Sequence, residues 1–302
     1  LTTAHNERVP EGRSCAAVVL YRPDPAVLLR LANGLHGCRL FAFVNGPVEP
    51  AALDALSSTS LRLISSPENV GLGRGLNAVM EAASGEGFSH VMLLDQDSEP
   101  PKGILDTLTQ RFMVLVRNGK KVAILAPRLV PPDEGFYKPI RYEWRDDAAS
   151  NDLAAVDFAP TSGSLVSTTA FAAIGPFQDD FFIAGIDVEW GFRAWQRGWG
   201  SFVATDLAMP HRWGEAVGPE DLGKAQILRH SPVRNYYYAR NVIATARLSH
   251  VPLRWRIRSC VGLVAQIGLL ALRGKQGALR PIRAGLADGF RGRLGAAPPS
   301  VT

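Results

Sequence analysis

An α/β fold, with a mostly parallel central sheet and helices on both faces, is what this 302-residue chain predicts. Two patterns in the sequence carry that expectation. Short apolar, β-branched runs recur through the first 126 residues, and longer stretches of helical period separate them. Strands joined through helices pair in parallel, and a parallel sheet is covered on both faces. The runs CAAVVLY (15–21), RLFAFVN (39–45), LRLIS (61–65), HVMLLD ending at Asp95, and KVAILAP (121–127) read as strands. Pro25–Leu35 and Gly73–Ala83 read as helices between them. From about Pro127 to Pro210 the pattern loosens into turns, short strands such as SFVA and one strong helix, 187–198, closed by Gly198. The last third, from about Pro232, is helical and arginine-rich, and the terminal GAAPPSVT is expected to be disordered.

An apolar content of 46% and this length allow a sizeable core. The net charge of +5 is unevenly spread: residues 253–302 hold nine Lys/Arg against one acid, which leaves the preceding 252 residues at −3. A basic end on a slightly acidic body points to an anionic partner. Cys15, Cys38 and Cys260 are far apart and odd in number, so neither a disulfide framework nor a zinc site is indicated, and a reducing compartment fits. The polar start LTTAHNERVPEGRS does not read as a secretory signal. The longest clean apolar run, Ser259–Leu272, has 14 residues, shorter than a membrane-spanning helix needs.

In a parallel α/β sheet ligands sit beyond the carboxyl ends of the strands. There the chain places LLDQDSEPP, with Asp95 and Asp97 two apart. Hard cations such as Mg²⁺ or Mn²⁺ take one or two carboxylates together with substrate phosphates, so the pair suits a diphosphate clamp. Capping of a helix near Pro101–Lys102 explains the same residues by local structure alone. SSPENVGLGRGLNAVMEA sets Asn69, Gly71, Gly73, Arg74, Gly75 and Asn77 ahead of a helix, where glycines admit a ligand to the backbone and an arginine favours phosphate. The spacing is not that of the dinucleotide fingerprint, which sets a nicotinamide dehydrogenase aside. Asp187 and Glu189 open the helix in FFIAGIDVEWGFRAW; a general base and an N-cap are both consistent with Asp187. His211 follows in MPHRWGE, where a structural role is the plainer reading of an isolated histidine.

NVGLGRGLN, LLDQDSEP, TSGSLVS (161–167), FFIAGIDVEWGFRA, HRWGE and HSPVRNYYYARN (230–241) occur in an order and spacing that resemble the family 2 glycosyltransferases of the GT-A fold, and within them the bacterial rhamnosyltransferase group. The resemblance covers about residues 15 to 245. It implies a GT-A catalytic domain over 15–230, with a nucleotide-sugar half at about 15–127 and an acceptor half at about 128–230. A basic helical region would follow at 231–292 and a disordered tail at 293–302. It further implies that Tyr21, Asn45, Asn69, Gly71, Arg74, Asn77, Asp95 and Gln96 bind the nucleotide sugar. Asp95, Asp97 and His211 would hold Mg²⁺ or Mn²⁺. Asp187 would be the catalytic base, with Glu189 and Thr161, Ser162, Gly163 and Ser164 on the acceptor side.

The reaction so implied is inverting transfer of L-rhamnose from dTDP-L-rhamnose to a glycan or lipid-linked glycan, as in O-antigen and related polysaccharide assembly. It would take place in the cytoplasm at the inner face of the membrane. Arginines alternating with apolar residues in LRWRIRSCVGLVAQIGLLALRGKQ suit a helix on an anionic membrane surface; packing on the catalytic domain or in a homodimer fits them equally. Nucleic acid is not expected, because aromatics suited to base stacking are sparse there. The rival readings are a transferase using UDP-galactofuranose or a UDP-hexose, and a catalytically silent nucleotide-sugar-binding protein. The joint presence of Asp95, Asp97, Asp187 and His211 weighs against silence.

Overall fold

The computed structural model describes residues 12–131, 142–145, 152–211, 231–274 and 276–301. Strand and helix alternate from the start: β1 (Ser14–Leu20), α1 (Pro25–Gly34), β2 (Arg39–Asn45), α2 (Pro50–Asp54), β3 (Ser60–Ser66), α3 (Leu72–Gly85), β4 (His90–Leu94), α4 (Ile104–Arg117) and β5 (Val122–Val130). Then come β6 (Leu153–Val156), β7 (Ser164–Ser167), α5 (Thr168–Ile174), a 3-10 turn at Asp179–Phe181, α6 (Ile186–Gln196) and β8 (Gly200–Pro210). Three helices close the chain: α7 (Pro232–Ala246), α8 (Leu253–Leu272) and α9 (Gln276–Arg291).

The eight strands form one sheet in the order β3-β2-β1-β4-β7-β5-β8-β6. Pairs β2–β3, β1–β2, β1–β4 and β5–β8 are parallel, whereas β7 runs antiparallel between β4 and β5, and β6 is antiparallel to β8. Strand order reverses between β1 and β4, which opens a crevice at their carboxyl ends. Alternation along β1 sends Cys15, Ala17 and Val19 to one face and Ala16, Val18 and Leu20 to the other. The first face packs on Val79, Met80, Phe171 and Trp190 of α3, α5 and α6; the second packs on Leu28, Leu31, Leu108 and Phe112 of α1 and α4. Burial of each such large side chain stabilises the fold by about 1.5–3 kcal/mol, so the strand ends sit on a rigid base.

Several expectations need revision. The strand foreseen as the short SFVA runs eleven residues, because β8 pairs along both β5 and β6. The apolar run judged too short to span a bilayer lies inside a helix of 20 residues, since Leu253–Arg258 continues the same helical period. By length and composition alone α8 could cross a membrane. Residues 293–301, expected to be disordered, are held in place: Gly295 N–H donates to the Asp180 carbonyl at 2.7 Å, and Ala297 N–H to the Tyr237 hydroxyl at 2.7 Å. Pro298 and Pro299 have no backbone donor, but the N–H groups of Gly295 and Ala297 find acceptors on the body of the protein.

The basic helices pack on one another closely. An added Cβ at Gly285 would stand 2.3 Å from the Tyr236 carbonyl oxygen, and one at Gly289 would stand 2.8 Å from that of Arg240. They also reach the part of the chain that carries the sheet: Arg254 pairs with buried Asp157, Arg258 with Glu143, and Trp255 meets Phe192 edge-on.

Candidate active site

The site builds outward from the β1/β4 crevice. Tyr21 follows β1 and Gln96 follows β4, and the Gln96 amide spans the gap: Oε1 accepts from Tyr21 N–H at 2.9 Å and Nε2 donates to the Tyr21 carbonyl at 3.2 Å. Gln96 therefore ties the two strand ends together. Asp95, beside it, is partly buried and Asp97 is exposed. Neither caps the next helix, since α4 begins at Ile104 behind Gly103 without a side-chain cap.

His211, at the end of β8, turns towards these carboxylates. Its Nε2 stands 3.9 Å from Asp95 Oδ2, while Nδ1 meets the Ser162 hydroxyl at 3.2 Å. Ser162 in turn bonds fully buried Ser98 at 2.8 Å, so a hydroxyl relay orients the imidazole. The loop that carries Ser162 is shaped by Gly163, at φ +77°, whose N–H donates to the Leu93 carbonyl at 2.7 Å. A Cβ there would collide with Met209 at 2.7 Å. Ser164 faces away from this relay and donates to the Pro160 carbonyl. Burial holds His211 below its ordinary pKa, against the pull of Asp97, so the ring is neutral near pH 7 as a metal ligand must be.

Burial pushes Asp95 up to about 6, the negative charge of Asp97 adds to the rise, and Arg234 of α7 opposes it. Asp187 is likewise pushed up to about 6, chiefly by burial, with backbone N–H groups opposing and Asp95 adding to it. Asp187 is not the N-cap of α6. Gly185 at φ +79° takes that position, and Asp187 lies in the first turn with Oδ1 accepting from Val188 N–H at 2.9 Å.

The glycine loop is held by asparagines. Asn45 Oδ1 accepts from Val70 N–H at 2.8 Å and its Nδ2 donates to Asn69 Oδ1 at 3.0 Å; Asn69 Oδ1 also takes Gly71 N–H at 3.0 Å. Gly71, at φ +90°, lets the chain pass under the Phe182 ring, where a Cβ would stand at 2.8 Å. Arg74 is largely exposed and lies 3.5 Å from Asp179.

Three expected contact residues have their polar atoms engaged by protein. Asn77 is buried and exchanges both amide bonds with the Phe177 backbone, at 3.0 and 2.8 Å, so it ties α3 to the α5–α6 connection. Asn45 is buried too and shapes the loop. Glu189 is 2% exposed and receives both forks of Arg193 at 2.9 Å, with His250 Nε2 at 2.9 Å from Oε1. It anchors α6 and the α7–α8 turn. Burial raises its pKa, but these two partners outweigh that and hold it low. Thr161 is partly buried beside Ser162.

Sequence reasoning missed Ser98, Arg234, Arg240, Asn241 and His250. Arg234, Arg240 and Asn241 lie within HSPVRNYYYARN, where the density of polar residues in a helical stretch was the available signal. His250 and Ser98 had none, because their partners are distant in sequence. Of HRWGE only His211, and of HSPVRNYYYARN only the part from Ser231, falls within the described residues.

Among the described residues no three His, Cys, Asp or Glu side chains stand close enough to enclose a metal ion by themselves. Two carboxylates and one oriented neutral imidazole facing a crevice fit an ion that draws its remaining ligands from substrate phosphates.

The sheet has the topology of the GT-A fold, with carboxylates at the β1/β4 switch point and at the start of α6. Residues 48–173 match the model of Glycosyl transferase family 2. It is 25% identical over 257 residues to the dTDP-rhamnosyl transferase RfbF of Shigella flexneri, covering 82% of this chain and 84% of that one. Among solved structures, GalNAc-T7 with UDP, GalNAc and Mn²⁺ superposes with a TM-score of 0.54 at 12% identity, over 83% of this chain and 55% of that one. S. aureus TarS 1–349 in complex with UDP-GlcNAc gives 0.50 at 12%, over 93% and 92%. The chain thus spans about half the GalNAc-T7 chain, and these likenesses speak for the fold.

Proposed function

We propose that this glycosyltransferase moves L-rhamnose from dTDP-L-rhamnose to a hydroxyl of a glycan or lipid-linked glycan, with inversion, in cell-surface polysaccharide synthesis at the cytoplasmic face of the membrane. The observation that carries the reading is His211 Nε2 facing Asp95 Oδ2 at 3.9 Å at the β1/β4 crevice; the raised pKa of Asp187, to which the charge of Asp95 contributes, supports it. The likeness to a dTDP-rhamnosyl transferase supports dTDP-L-rhamnose as the donor.

The donor's diphosphate lies across the strand ends, beside the loop that Asn45 and Asn69 hold open. Asp95, Asp97 and His211 would hold Mg²⁺ or Mn²⁺, which supplies Lewis-acid stabilisation of the departing diphosphate. Arg234 adds positive charge on the same side. Asp187 accepts the proton of the acceptor hydroxyl as its oxygen attacks the anomeric carbon from the face opposite the diphosphate. One displacement of this kind converts a β-L donor to an α-L-rhamnoside. The elevated pKa of Asp187 keeps it a competent base at neutral pH.

The test is calorimetric binding of dTDP, UDP and GDP with and without Mn²⁺, for the parent chain and Asp97→Ala. The reading requires Mn²⁺-dependent binding of dTDP that weakens at least about tenfold in the variant, a change of 1.4 kcal/mol. Preference for UDP would move the donor to UDP-galactofuranose or a UDP-hexose. Absence of metal-dependent binding to any of the three nucleotides would leave only the fold.

A further inference from the structure

Asp187 is delivered to the crevice by a loop, Asp180–Gly185, that no local rule favours. Phe182 has φ +62°, Ala184 φ +70° and Gly185 φ +79°. Residues with side chains rarely adopt the first two, and such conformations persist only where surrounding structure enforces them.

The enforcement comes from a different part of the chain. Asn241 Nδ2 lies 2.9 Å from the Phe181 carbonyl oxygen, 2.8 Å from that of Ile183 and 2.9 Å from that of Ala184. Its Oδ1 accepts from Arg240 Nε at 2.9 Å, which fixes the amide with its donors towards the loop. Arg240 is fully buried and spends its remaining donors on the carbonyls of Asp180 (3.1 Å), Phe181 (2.9 Å) and Gly295 (2.6 Å), with Tyr236 and Tyr237 rings beside it. Those recorded partners include no carboxylate, and a guanidinium is costly to bury that way. The Phe182 ring stacks on Tyr237 at 5.0 Å, and its carbonyl accepts from Leu72 N–H at 2.6 Å, so the glycine loop of the donor side is seated on the same clamp.

We propose that Arg240 and Asn241 of α7 are positioning residues for Asp187, holding its strained loop in the one arrangement that aims the carboxylate into the crevice. The proposal rests on the reading of Asp187 as the base. The basic C-terminal region is then part of the catalytic apparatus, whatever surface it also meets.

The experiment compares full-length Asn241→Ala, Asn241→Ser and Asp187→Asn. Turnover is read as dTDP release from dTDP-L-rhamnose to water, binding as dTDP calorimetry, and folding as a thermal melt. A displacement near 1 Å at a reacting group costs about 10²-fold, so Asn241→Ala should lose about that in kcat, with donor KM and dTDP affinity within about threefold of the parent. Asn241→Ser, which restores one donor, should recover about tenfold of it. Turnover within about threefold of the parent in folded Asn241→Ala overturns the proposal, as does parallel loss of dTDP affinity and kcat, the mark of a merely structural residue. Should Asn241→Ala not fold, the same split of kcat from KM is read on Asn241→Ser. Full turnover in Asp187→Asn sinks the base reading itself. An inactive Asp187→Asn beside a fully active Asn241→Ala sinks only the clamp.

Discussion

Two carboxylates with raised pKa values give the site a measurable pH signature. As the proposed base, Asp187 would act only when deprotonated, and burial has raised its pKa to about 6. Turnover at saturating donor should therefore be on a plateau at pH 7.5 and fall about tenfold per unit once pH drops well below 6, which a pH–rate profile resolves. Stability runs the other way. Between about pH 4 and 6 the folded protein keeps a proton on Asp95 that the unfolded chain has released, so this group's contribution falls as pH rises through that window and stays lost above it. Asp95→Asn removes the cost. Its melting temperature without metal should exceed the parent's by about 1–3 °C at pH 7.5, a shift reduced by the partial exposure of the side chain, and should match it near pH 4. An equal melting temperature at pH 7.5 would show that the carboxylate is not held at a cost. Functional groups that oppose stability in this way are expected where a cation or substrate later relieves them.

At the scale of elements, α7 and α9 cross so closely that two glycines are obligatory. Gly289→Ala places a methyl 2.8 Å from the Arg240 carbonyl oxygen and 2.9 Å from Ile243. Overpacking of this kind costs about 1–3 kcal/mol, which a thermal or urea melt detects. Because Arg240 is displaced with it, turnover should fall further than the lost stability explains. Gly262→Ala in α8, where an added Cβ meets nothing within 4 Å, is the matched control and should leave both unchanged. The contrast separates glycines that the packing needs from those it tolerates. Strand ends behave similarly: Gly163 is where a small residue lets the Ser162 loop pass Met209 and reach His211.

For the whole molecule, the charge asymmetry of the chain is only partly available to a partner. Arg254 and Arg258 at the start of α8 are paired with Asp157 and Glu143, while Leu253, Ile257, Val261, Val264 and Leu272 remain exposed along the helix and Arg280, Arg283 and Arg291 are exposed on α9. We propose an anionic membrane surface as what covers this face. Binding to phosphatidylglycerol vesicles should be seen in a flotation assay at low salt and should drop about tenfold in the double variant Val261→Glu, Val264→Glu. Equal binding by parent and variant would leave packing against a second copy, readable by sedimentation.

Much of this architecture was legible in the sequence because it depends on short-range pattern. Short apolar, β-branched runs marked β1 to β4 within about a residue and the start of β5, and a turn after β4 placed Asp95 and Asp97 at a strand end. Those features are set by neighbours in the chain. The antiparallel insertion of β7, the relay from Ser98 through Ser162 to His211, and the grip of Arg240 and Asn241 on the Asp187 loop join residues 40 to 77 positions apart. No periodicity encodes such pairings. A polar side chain in a helix reads the same whether it faces water or a buried carbonyl, and only the packed fold, by withholding water, decides which partner it must find. The chemistry of the site was thus written in residue types at strand ends, while its aim was decided by tertiary hydrogen bonds.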